Sequence, residues 1–422
     1  MSSRPTIAIS AFAANPKMSS ETGIGWSFIR TTAQNAVVRN AKVVAVTNLR
    51  SAEAIRKQLV SEGLGDVVET IGLDMPKFLK FLKDPRLTRL EYILWWMLAR
   101  RVFQRLEKER HLVLAHHVTF ATEIFPTPIT AVSKAVYKVW GPVGSAGDPA
   151  VYQVRPLMRG IRSQRVGQAF RDLIAAIPAR HFGRRVHLVL AQNEAVAEMF
   201  KRKRVPARVF PNVVLKPELQ GAIDQARSRQ VLRGEDSPLK ILSVGHLIPR
   251  KRFDLGLALL TEECLAGARY ELLGRPLEGV RDDLPRRARE LGVADRVCFG
   301  GKLSRDQVLA AMANSDVLLH PSGREGASGV IGEATAVGIP VVCFANTGAA
   351  SVLEASGSSG VIVQAKVDLS LTELAGAVLR AASMERRPSL EWTEDRFRSM
   401  CAELYDAAVR HRTLQRIGNA QK

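Results

Sequence analysis

Two glutamates beside a glycine-rich turn are the residues whose spacing first suggests chemistry. Glu325 and Glu333 lie eight positions apart in the stretch PSGREGASGVIGEATAVGIP. Gly326 and Gly329 leave the backbone open to a ligand, and residues 329–337 have helical composition. We therefore expect Glu325 in a loop at a helix N-terminus and Glu333 on the helix itself, about two turns in.

This predicted helix offers two kinds of polar contact to a ligand. Its carboxylate can accept two hydrogen bonds from vicinal hydroxyls, as on a ribose. The free N–H groups near residues 327–329 can hold a sugar or phosphate oxygen, which makes Ser328 and Gly329 candidate ligand contacts. Glutamates on a surface helix are ordinarily solvated, but the apolar, glycine-rich flanks favour burial here.

A basic turn follows a predicted strand at residues 239–245. The sequence HLIPRKRFDL places Arg250, Lys251 and Arg252 just before an apolar-periodic helix that begins near Phe253. Cationic groups at a helix start converge where a phosphate can lie. The alternative interpretation is a solvated basic turn that binds nothing.

A glycine loop follows the first predicted strand. It reads SSETGIGW over residues 19–26 and leads into a helix that is expected to start near Trp26. Gly23 and Gly25 would allow close approach of a ligand, and the helix start favours an anion. The alternative is that both glycines serve only a tight turn.

A scaffold must hold these loops together, and the apolar pattern predicts one. Short runs of consecutive apolar residues with helical segments between them are typical of parallel strands covered on both faces. We predict strands at residues 6–12, 43–47, 112–116, 136–141, 187–191, 239–245, 270–274, 296–300, 316–320, 340–344 and 360–364. This predicts an α/β protein of two doubly wound domains, in which ligands bind beyond the carboxyl ends of the strands.

Length, composition and charge support two units. The chain has 422 residues, 46% hydrophobic and 24% charged, which excludes disorder and a disulfide scaffold. Of the net charge of +20, nearly all lies in residues 1–215, with 33 Lys and Arg against 15 Asp and Glu. We place an N-terminal domain at 1–215, a polar linker at 215–237 and a C-terminal domain at 216–395. Residues 396–422 are predicted to form a helix that packs back toward the N-terminal domain.

Cysteine usage and hydropathy suggest a cytosolic chain. The four cysteines lie too far apart for a CxxC pair and are expected to be reduced. The first thirty residues lack a signal-peptide pattern, and the longest apolar cluster, at residues 90–99, falls short of the roughly 20 residues that cross a bilayer. Histidines and carboxylates show no metal-ligand spacing, so we expect neither a metal nor another cofactor.

The second half resembles glycosyltransferase family 4, whose members have the GT-B fold of two Rossmann-like domains facing across a cleft. The resemblance rests, in order, on SVGHLIPRKRFDL, YELLGRP, RARELGVADRVCFGG, and DVLLHPS with EGASGVIGEATAVGIPVV. The first half is similar more loosely, through GIGW, HHVTF at residues 116–120 and VFPNVV around Asn212. Order and spacing together make the resemblance specific.

The resemblance implies roles for the basic turn. Lys251 matches the lysine of a basic pair that neutralises the donor diphosphate, while His246 stands where an arginine is usual and Arg252 where a glycine is usual. Arg250 or Arg252 is expected to supply the second cation, because a guanidinium grips phosphate in bidentate fashion. Reduced donor affinity or inactivity is the alternative.

It also implies roles for the glutamates and a histidine. Glu325 matches a residue near the donor sugar, and Glu333 matches one bound to the ribose. The diphosphate is expected to lie against Gly23 and Gly25 across the cleft. His116 matches a histidine that faces the sugar and is expected to take part in catalysis.

Family members transfer a sugar from a nucleotide-diphosphate donor with retention of anomeric configuration, generally without a metal. Cationic side chains and helix N–H groups would stabilise the departing diphosphate. His117 is the alternative to its neighbour His116, and a structural role for either histidine is equally open. The acceptor implied is a glycan or a lipid-linked glycan, in cell-surface polysaccharide or glycoconjugate synthesis.

A basic, aromatic segment suggests a membrane partner. Residues 76–110 hold ten Lys and Arg against four Asp and Glu, together with Trp95 and Trp96. Such a segment can lie in an anionic interface, and residues 155–165 add basic charge. We predict peripheral attachment to the cytoplasmic leaflet. The alternative is that these apolar residues form the core faces of ordinary helices.

Three other classes of protein share some of these features. A nucleic-acid-binding protein would be basic, but aromatic residues make up only 6% and no binding motif is present, so we expect no nucleic-acid partner. A nucleotide-sugar epimerase shares the two-domain architecture and needs no acceptor. A non-catalytic relative is a third alternative, which His246 makes plausible.

Overall fold

Two parallel β-sheets make up the framework of the chain. The computed structural model describes residues 4–18, 20–74, 87–144, 147–155, 161–215, 217–230, 237–276 and 283–420. In these ranges the chain forms one sheet of seven strands and one of six, each with an apolar core on both faces. The predicted α/β class with two doubly wound domains is confirmed.

The N-terminal sheet has the strand order β3-β2-β1-β4-β5-β6-β7. Its strands are β1 (Thr6–Ala11), β2 (Lys42–Asn48), β3 (Val68–Leu73), β4 (Leu112–Thr119), β5 (Tyr137–Val143), β6 (Leu188–Ala191) and β7 (Ala207–Val209). The helices between and after them are α1 (Ser20–Val38), α2 (Leu49–Ser61), α3 (Thr88–Glu109), α4 (Ile161–Gly183), α5 (Glu194–Arg202) and α6 (Gln220–Ser228).

The C-terminal sheet has the strand order β10-β9-β8-β11-β12-β13. Its strands are β8 (Lys240–Val244), β9 (Arg269–Leu273), β10 (Val297–Gly301), β11 (Val317–His320), β12 (Val341–Phe344) and β13 (Gly360–Val363). Its helices are α7 (Phe253–Leu259), α8 (Asp283–Glu290), α9 (Arg305–Ala313), α10 (Gly329–Val337), α11 (Gly348–Ser356) and α12 (Leu371–Ala382), followed by α13 (Glu394–Ala420).

The central strands are apolar on both sides, and this is why they lie inside their sheets. In β1 the side chains of Ile7 and Ile9 enter one core while Ala8 enters the opposite one. Strand order reverses between β1 and β4 and between β8 and β11. The loops that follow these four strands therefore diverge at the carboxyl edges and leave a crevice there.

The last helix joins the two domains a second time. Phe397, Leu404 and Ala408 of α13 belong to the same apolar core as α1 and the N-terminal sheet. The two crossing segments run side by side, since Leu215 N–H donates to the carbonyl of Trp392 at 2.6 Å. We call residues 211–215 and 392–396 the hinge.

The polar stretch that the sequence indicates as a linker contains a helix. Within residues 215–237, α6 buries Ile223 and Ala226 in the core that also contains Leu309 of α9 and Ile331 of α10. Only two apolar residues of this short helix are buried, which explains why its pattern is inconspicuous.

Candidate functional site

The loops after β8 and β11 bring a lysine and a glutamate together. Because these strands are paired, their loops leave the same edge side by side. Lys251 Nζ lies 2.6 Å from Glu325 Oε1, and each side chain is 10% exposed. Gly245, with φ 146°, passes close to this lysine, since a Cβ at residue 245 would lie 3.6 Å from Nζ.

Further polar groups surround Glu325. Ser322 Oγ donates to Glu325 Oε1 at 2.7 Å, and the same oxygen lies 3.7 Å from His320 Nε2 and 3.9 Å from Arg250 Nη1. Burial raises the pKa of Glu325, but the charge of Lys251 and the neighbouring His320 and Arg250 outweigh it and hold that pKa well below its ordinary range. Glu325 is therefore a carboxylate at every physiological pH.

Helix α10 directs its N-terminus into the crevice. It begins at Gly329, as predicted, after Ser328, whose side chain does not cap it. The hydroxyl of Ser328 instead lies 3.5 Å from His320 Nε2. Ala327 and Gly329 line the crevice, so the helix start and its partial positive charge face open space.

The crevice between the domains has a volume of about 740 Å³. Its C-terminal wall includes Gly326, Gly329, Glu333 and Arg305, and its N-terminal wall includes Glu21, Gly23, Thr122 and Gln192. Lys251 and Glu325 do not line this space themselves. Gly326, the chain neighbour of Glu325, does line it, and Gln192 packs there so closely that a Cβ at residue 326 would meet its Oε1 at 2.0 Å.

Glu333 has a partner that sequence reasoning missed. It is the fifth residue of α10, about one turn from the helix start rather than the predicted two. Arg305, the first residue of α9, pairs with its carboxylate. Burial raises the pKa of Glu333, and the charge of Arg305 opposes that rise. The sequence feature that could have indicated Arg305 is the helix-capping pattern SRDQ after β10, which places this arginine at the start of a helix.

The expected glycine loop is helical. Helix α1 begins at Ser20, not near Trp26, so Gly23 and Gly25 both lie in its first turns. Gly23 lines the crevice. Gly25 instead lets α1 pack closely on the loop after β1, since a Cβ at residue 25 would lie 2.7 Å from the carbonyl of Ala13. The expectation that this segment is a loop is wrong.

Glu21 gives the N-terminal wall a carboxylate that the sequence did not suggest. Its Oε1 accepts the N–H of Phe120 at 2.5 Å, which ties the first turn of α1 to the loop after β4. Desolvation raises the pKa of Glu21, and the hydrogen bond from Phe120 opposes that rise. The carboxyl group of Glu21 and the N-terminus of α10 thus lie on opposite walls of the crevice.

The three basic residues of the turn point in different directions. Arg250 is one-third exposed and donates to the carbonyl of Arg324 at 2.9 Å, close to Glu325. Arg252 is fully buried and pairs with Asp254. Because its guanidinium also donates to main-chain carbonyls, Arg252 is not available to a phosphate, and of the two arginines that the sequence suggested for the second cation only Arg250 remains a candidate.

His116 and His117 lie inside the N-terminal domain. His116 donates from Nε2 to the carbonyl of Gly141, 2.7 Å away, and its ring meets Phe28 edge-on. His117 bonds Ser10 through Nδ1 at 2.8 Å. Neither borders the crevice, so the geometry does not bring the expected catalytic histidine to a ligand there.

The segment proposed for membrane contact is largely structural. Trp95 is fully buried in the core below α3, and Trp96 is partly buried against Phe182. Residues 75–86 and 156–160, which cover part of both basic stretches, lie outside the described residues. None of the helices in the described part of the chain has both the length and the apolar content for a membrane crossing.

Metal ligands do not gather in the residues that the structure describes. Within those ranges, no three His, Cys, Asp or Glu side chains lie together as a metal site would require.

Comparison with known proteins finds relatives for part of the chain. Residues 224–390 match the family model described as "Glycosyl transferases group 1". A D-inositol 3-phosphate glycosyltransferase of Mycolicibacterium smegmatis is 33% identical over 195 residues, which cover 44% of this chain and 44% of that relative. The chain thus spans about half the length of the curated relatives it matches.

Solved structures extend the likeness to the whole chain. The lipopolysaccharide outer core galactosyltransferase WaaB has a TM-score of 0.58 at 14% identity, over 96% of this chain and 99% of that one. Anabaena HepE in complex with UDP has a TM-score of 0.51 at 17% identity, over 99% and 100%. At these identities the likeness concerns the fold, which is GT-B. The predicted resemblance to glycosyltransferase family 4 is confirmed.

Proposed function

We propose that this protein is a retaining glycosyltransferase that moves a sugar from a nucleotide diphosphate to a glycan or lipid-linked acceptor. The observation that carries the proposal is the convergence of Lys251, Glu325 and the N-terminus of α10 beside a crevice that also holds Glu333. This set offers cations for a diphosphate and carboxylates for hydroxyl groups.

The donor would lie along α10. Glu333, one turn into the helix, would accept hydrogen bonds from the ribose hydroxyls, and Arg305 would release its carboxylate as they arrive. The diphosphate would lie at the free N–H groups of residues 327–329, beside Lys251 and Arg250. Glu325 would then accept a hydrogen bond from the donor sugar.

Electrostatic stabilisation of the leaving group would supply most of the catalysis. Negative charge would grow on the diphosphate as the glycosidic bond breaks, and Lys251, Arg250 and the N-terminus of α10 would stabilise it. Their charge would suffice without a metal. We propose front-side attack, in which the acceptor hydroxyl passes its proton to the departing phosphate.

Relatives support the choice of donor to test first. A solved GT-B structure, HepE, holds UDP, and curated relatives are named for transfer to D-inositol 3-phosphate. We propose a nucleoside diphosphate sugar as donor, with uridine diphosphate sugars at the head of the panel. Synthesis of cell-surface polysaccharide or glycoconjugate fits a chain with a basic N-terminal half.

The experiment is thermal protection by nucleotide sugars. The purified chain is heated with each of a panel of nucleotide sugars, because a ligand of the native state raises the unfolding temperature by mass action. Glu333→Ala and Lys251→Ala should abolish the rise, whereas Glu218→Ala, at the rim of the same crevice, should keep it. Equal protection in both site variants would refute the assignment.

Product analysis separates transferase from epimerase. Turnover of the protecting donor is followed with and without glycan acceptors, in the presence of a metal chelator. A transferase releases nucleoside diphosphate and glycosylates the acceptor, whereas an epimerase interconverts sugars without any acceptor. A donor that binds without any turnover would favour the non-catalytic alternative.

We also propose peripheral attachment to an anionic membrane, now through α4. Five large apolar side chains form one stripe on the outside of this helix, at least 41% exposed: Val166, Phe170, Leu173, Ile174 and Ile177. Exposed arginines at 165, 180, 184 and 185 flank the stripe. Apolar groups with basic neighbours fit the headgroup region of an anionic leaflet, on the cytoplasmic side if the donor is cytoplasmic.

A further inference from the structure

A segment of the N-terminal domain crosses to the C-terminal domain. Residues 147–155, between β5 and α4, are here named the strap. Val151, Tyr152 and Val154 of the strap are at most 2% exposed. They belong to the hydrophobic core of the C-terminal domain, together with Ile241 and Phe253. The strap is therefore buried against the other domain rather than its own.

The strap also bonds the loop that carries Glu325. Gly147 forms an antiparallel bridge with Arg324, and Asp148 N–H donates to the carbonyl of Gly323 at 3.0 Å. Tyr152 lies over the same loop, since a Cβ at Gly323 would be 2.7 Å from its Cζ. The strap thus bonds and packs against the two residues that directly precede Glu325.

Arg252 fastens the strap from the C-terminal side. Its guanidinium donates to the main-chain carbonyls of Val151, Val154 and Arg155, the last at 3.1 Å. It also forms two bonds of 3.1 Å with the carboxylate of Asp254, and both side chains are fully buried. A planar guanidinium is the side chain that can satisfy a carboxylate and several carbonyls at once.

The backbone of Arg252 has an unfavourable conformation that its contacts must stabilise. Its φ is 54° and its ψ is 32°, in the left-handed region that glycine adopts without strain and arginine does not. A residue in this region is maintained when its surroundings over-determine it. Here the surroundings are the strap carbonyls and Asp254.

We propose that Arg252 is a positioning residue that latches the strap to the C-terminal domain. The latch holds the strap against the loop that carries Glu325 and fixes Lys251, its immediate chain neighbour, beside the glutamate. The latch itself stands on the contacts above, whereas its effect on turnover rests on the proposed function. The two parts can be measured separately.

Hydrogen exchange tests the latch without any turnover. In Arg252→Gly, whose glycine suits the left-handed backbone, we expect backbone amides of residues 147–155 to exchange about tenfold faster or more, while β1 and β2 keep their protection. Arg252→Lys keeps the charge beside Asp254 but loses the planar fork, so its strap should exchange at an intermediate rate. Arg204→Gly is the matched control, because Arg204 is exposed and also left-handed, with φ 58°.

The outcomes are distinct. If strap exchange in Arg252→Gly stays within about twofold of the wild type, the latch is refuted. If Arg252→Gly loses protection throughout the chain, the test rests on Arg252→Lys instead. A strap that is as protected in Arg252→Lys as in the wild type would then overturn the proposal. Selective exchange of the strap in either variant supports it.

Turnover tests the consequence for the site. A loosened strap admits water, so donor hydrolysis relative to transfer should rise about fivefold in Arg252→Gly, with kcat reduced. The affinity for free UDP should fall by a smaller factor than kcat, because Lys251 is displaced while Glu333 and α10 are untouched. An unchanged ratio of hydrolysis to transfer would limit the latch to a structural role. Absence of any wild-type turnover would refute the proposed function and leave the exchange result standing.

Discussion

Lys251 Nζ and Glu325 Oε1 are 2.6 Å apart in a site where each side chain is 10% exposed. A buried pair of this kind is costly to break, because the remaining charge loses its partner in a medium of low dielectric constant. Without a donor, the two groups neutralise each other. A bound diphosphate would share the lysine with the glutamate, so the site can accept the anion without leaving Glu325 unpaired.

Removal of the lysine should therefore cost more than removal of both groups. We expect Lys251→Met to lower the free energy of unfolding by about 3 kcal/mol, since Glu325 keeps the hydrogen bond from Ser322 but has only the more distant His320 and Arg250 as possible charged partners. Adding Glu325→Gln should recover more than half of that loss. Urea unfolding of the two single variants and the double variant measures the coupling, and additive effects would contradict the pairing.

The pairing of Arg305 with Glu333 predicts a pH effect on donor binding. Burial raises the pKa of Glu333 and Arg305 opposes the rise, so Arg305→Gln should raise the pKa further. A protonated carboxyl accepts fewer hydrogen bonds from ribose hydroxyls, so UDP binding should weaken as the solution is acidified. In Arg305→Gln this weakening should begin at a higher pH than in the wild type. Titration calorimetry across pH 5 to about 8 measures this. Glu333→Gln should bind weakly with no such dependence, and identical pH profiles of wild type and Arg305→Gln would contradict the prediction.

Two helical glycines should respond oppositely to alanine. At Gly25 a Cβ would lie 2.7 Å from the carbonyl of Ala13 and 2.7 Å from Thr119 Cγ2, so α1 would have to move. We expect Gly25→Ala to destabilise by about 2 kcal/mol. Gly167 in α4 meets nothing within 4 Å, and its replacement should stabilise by about 0.5 kcal/mol through helix propensity. Thermal or urea unfolding distinguishes the two, and equal effects would argue against the packing of α1.

The buried histidines should make the fold sensitive to acid. Burial lowers the pKa of His116 to about 4 and that of His117, which His116 also affects, to about 3. The unfolded chain protonates both near pH 6.5, so it binds more protons than the native state below that pH. Their contribution to stability is complete above pH 6.5 and is lost as the pH falls toward the folded pKa values, by about 1.4 kcal/mol per pH unit for each group. His116→Gln should reduce this slope of unfolding free energy against pH, and an unchanged slope would contradict it.

The apolar stripe on α4 predicts vesicle binding. Phe170→Ser with Ile177→Ser should reduce sedimentation with vesicles that contain anionic phosphatidylglycerol by about tenfold or more. The matched control is Val38→Ser with Val60→Ser, which removes two side chains that are 83% and 71% exposed elsewhere. Binding should fall with added salt. Concentration-dependent self-association of the wild type, removed by the α4 substitutions without any effect on vesicles, would assign the stripe to a second copy instead.

The apolar pattern predicted eleven strands, all of which overlap strands of the structure, and missed β3 and β7. Both missed strands lie at the edges of the N-terminal sheet. An edge strand has a single neighbour, so it needs less apolar surface, and VETIGL with its glycine and exposed glutamate shows no apolar run. The start of α1 was missed for a related reason, because glycines at 23 and 25 imitate a loop.

The sequence predicted the candidate residues that follow recognisable strands and missed those whose position depends on contacts between other elements. Glu325 and Lys251 follow strands that the pattern locates, so topology alone brings them together. Arg305 is 28 residues from its partner Glu333, and nothing local links them. Arg252 is a residue type that binds phosphate, so the local sequence favours that role. Its actual partners are carbonyls of the strap, which is about 100 residues away in sequence.

The two backbone crossings at the hinge restrict how the lobes can move. Leu215 bonds Trp392 across them, and Arg396 donates to the carbonyl of Pro211 at 2.8 Å while stacking on Phe210 and Trp392. Two adjacent chain crossings between the domains restrict their relative translation and twisting, and leave rotation about one axis through the hinge. Any opening of the crevice should therefore be a rotation of one domain about an axis through the hinge, which would widen the crevice most at its end far from that axis.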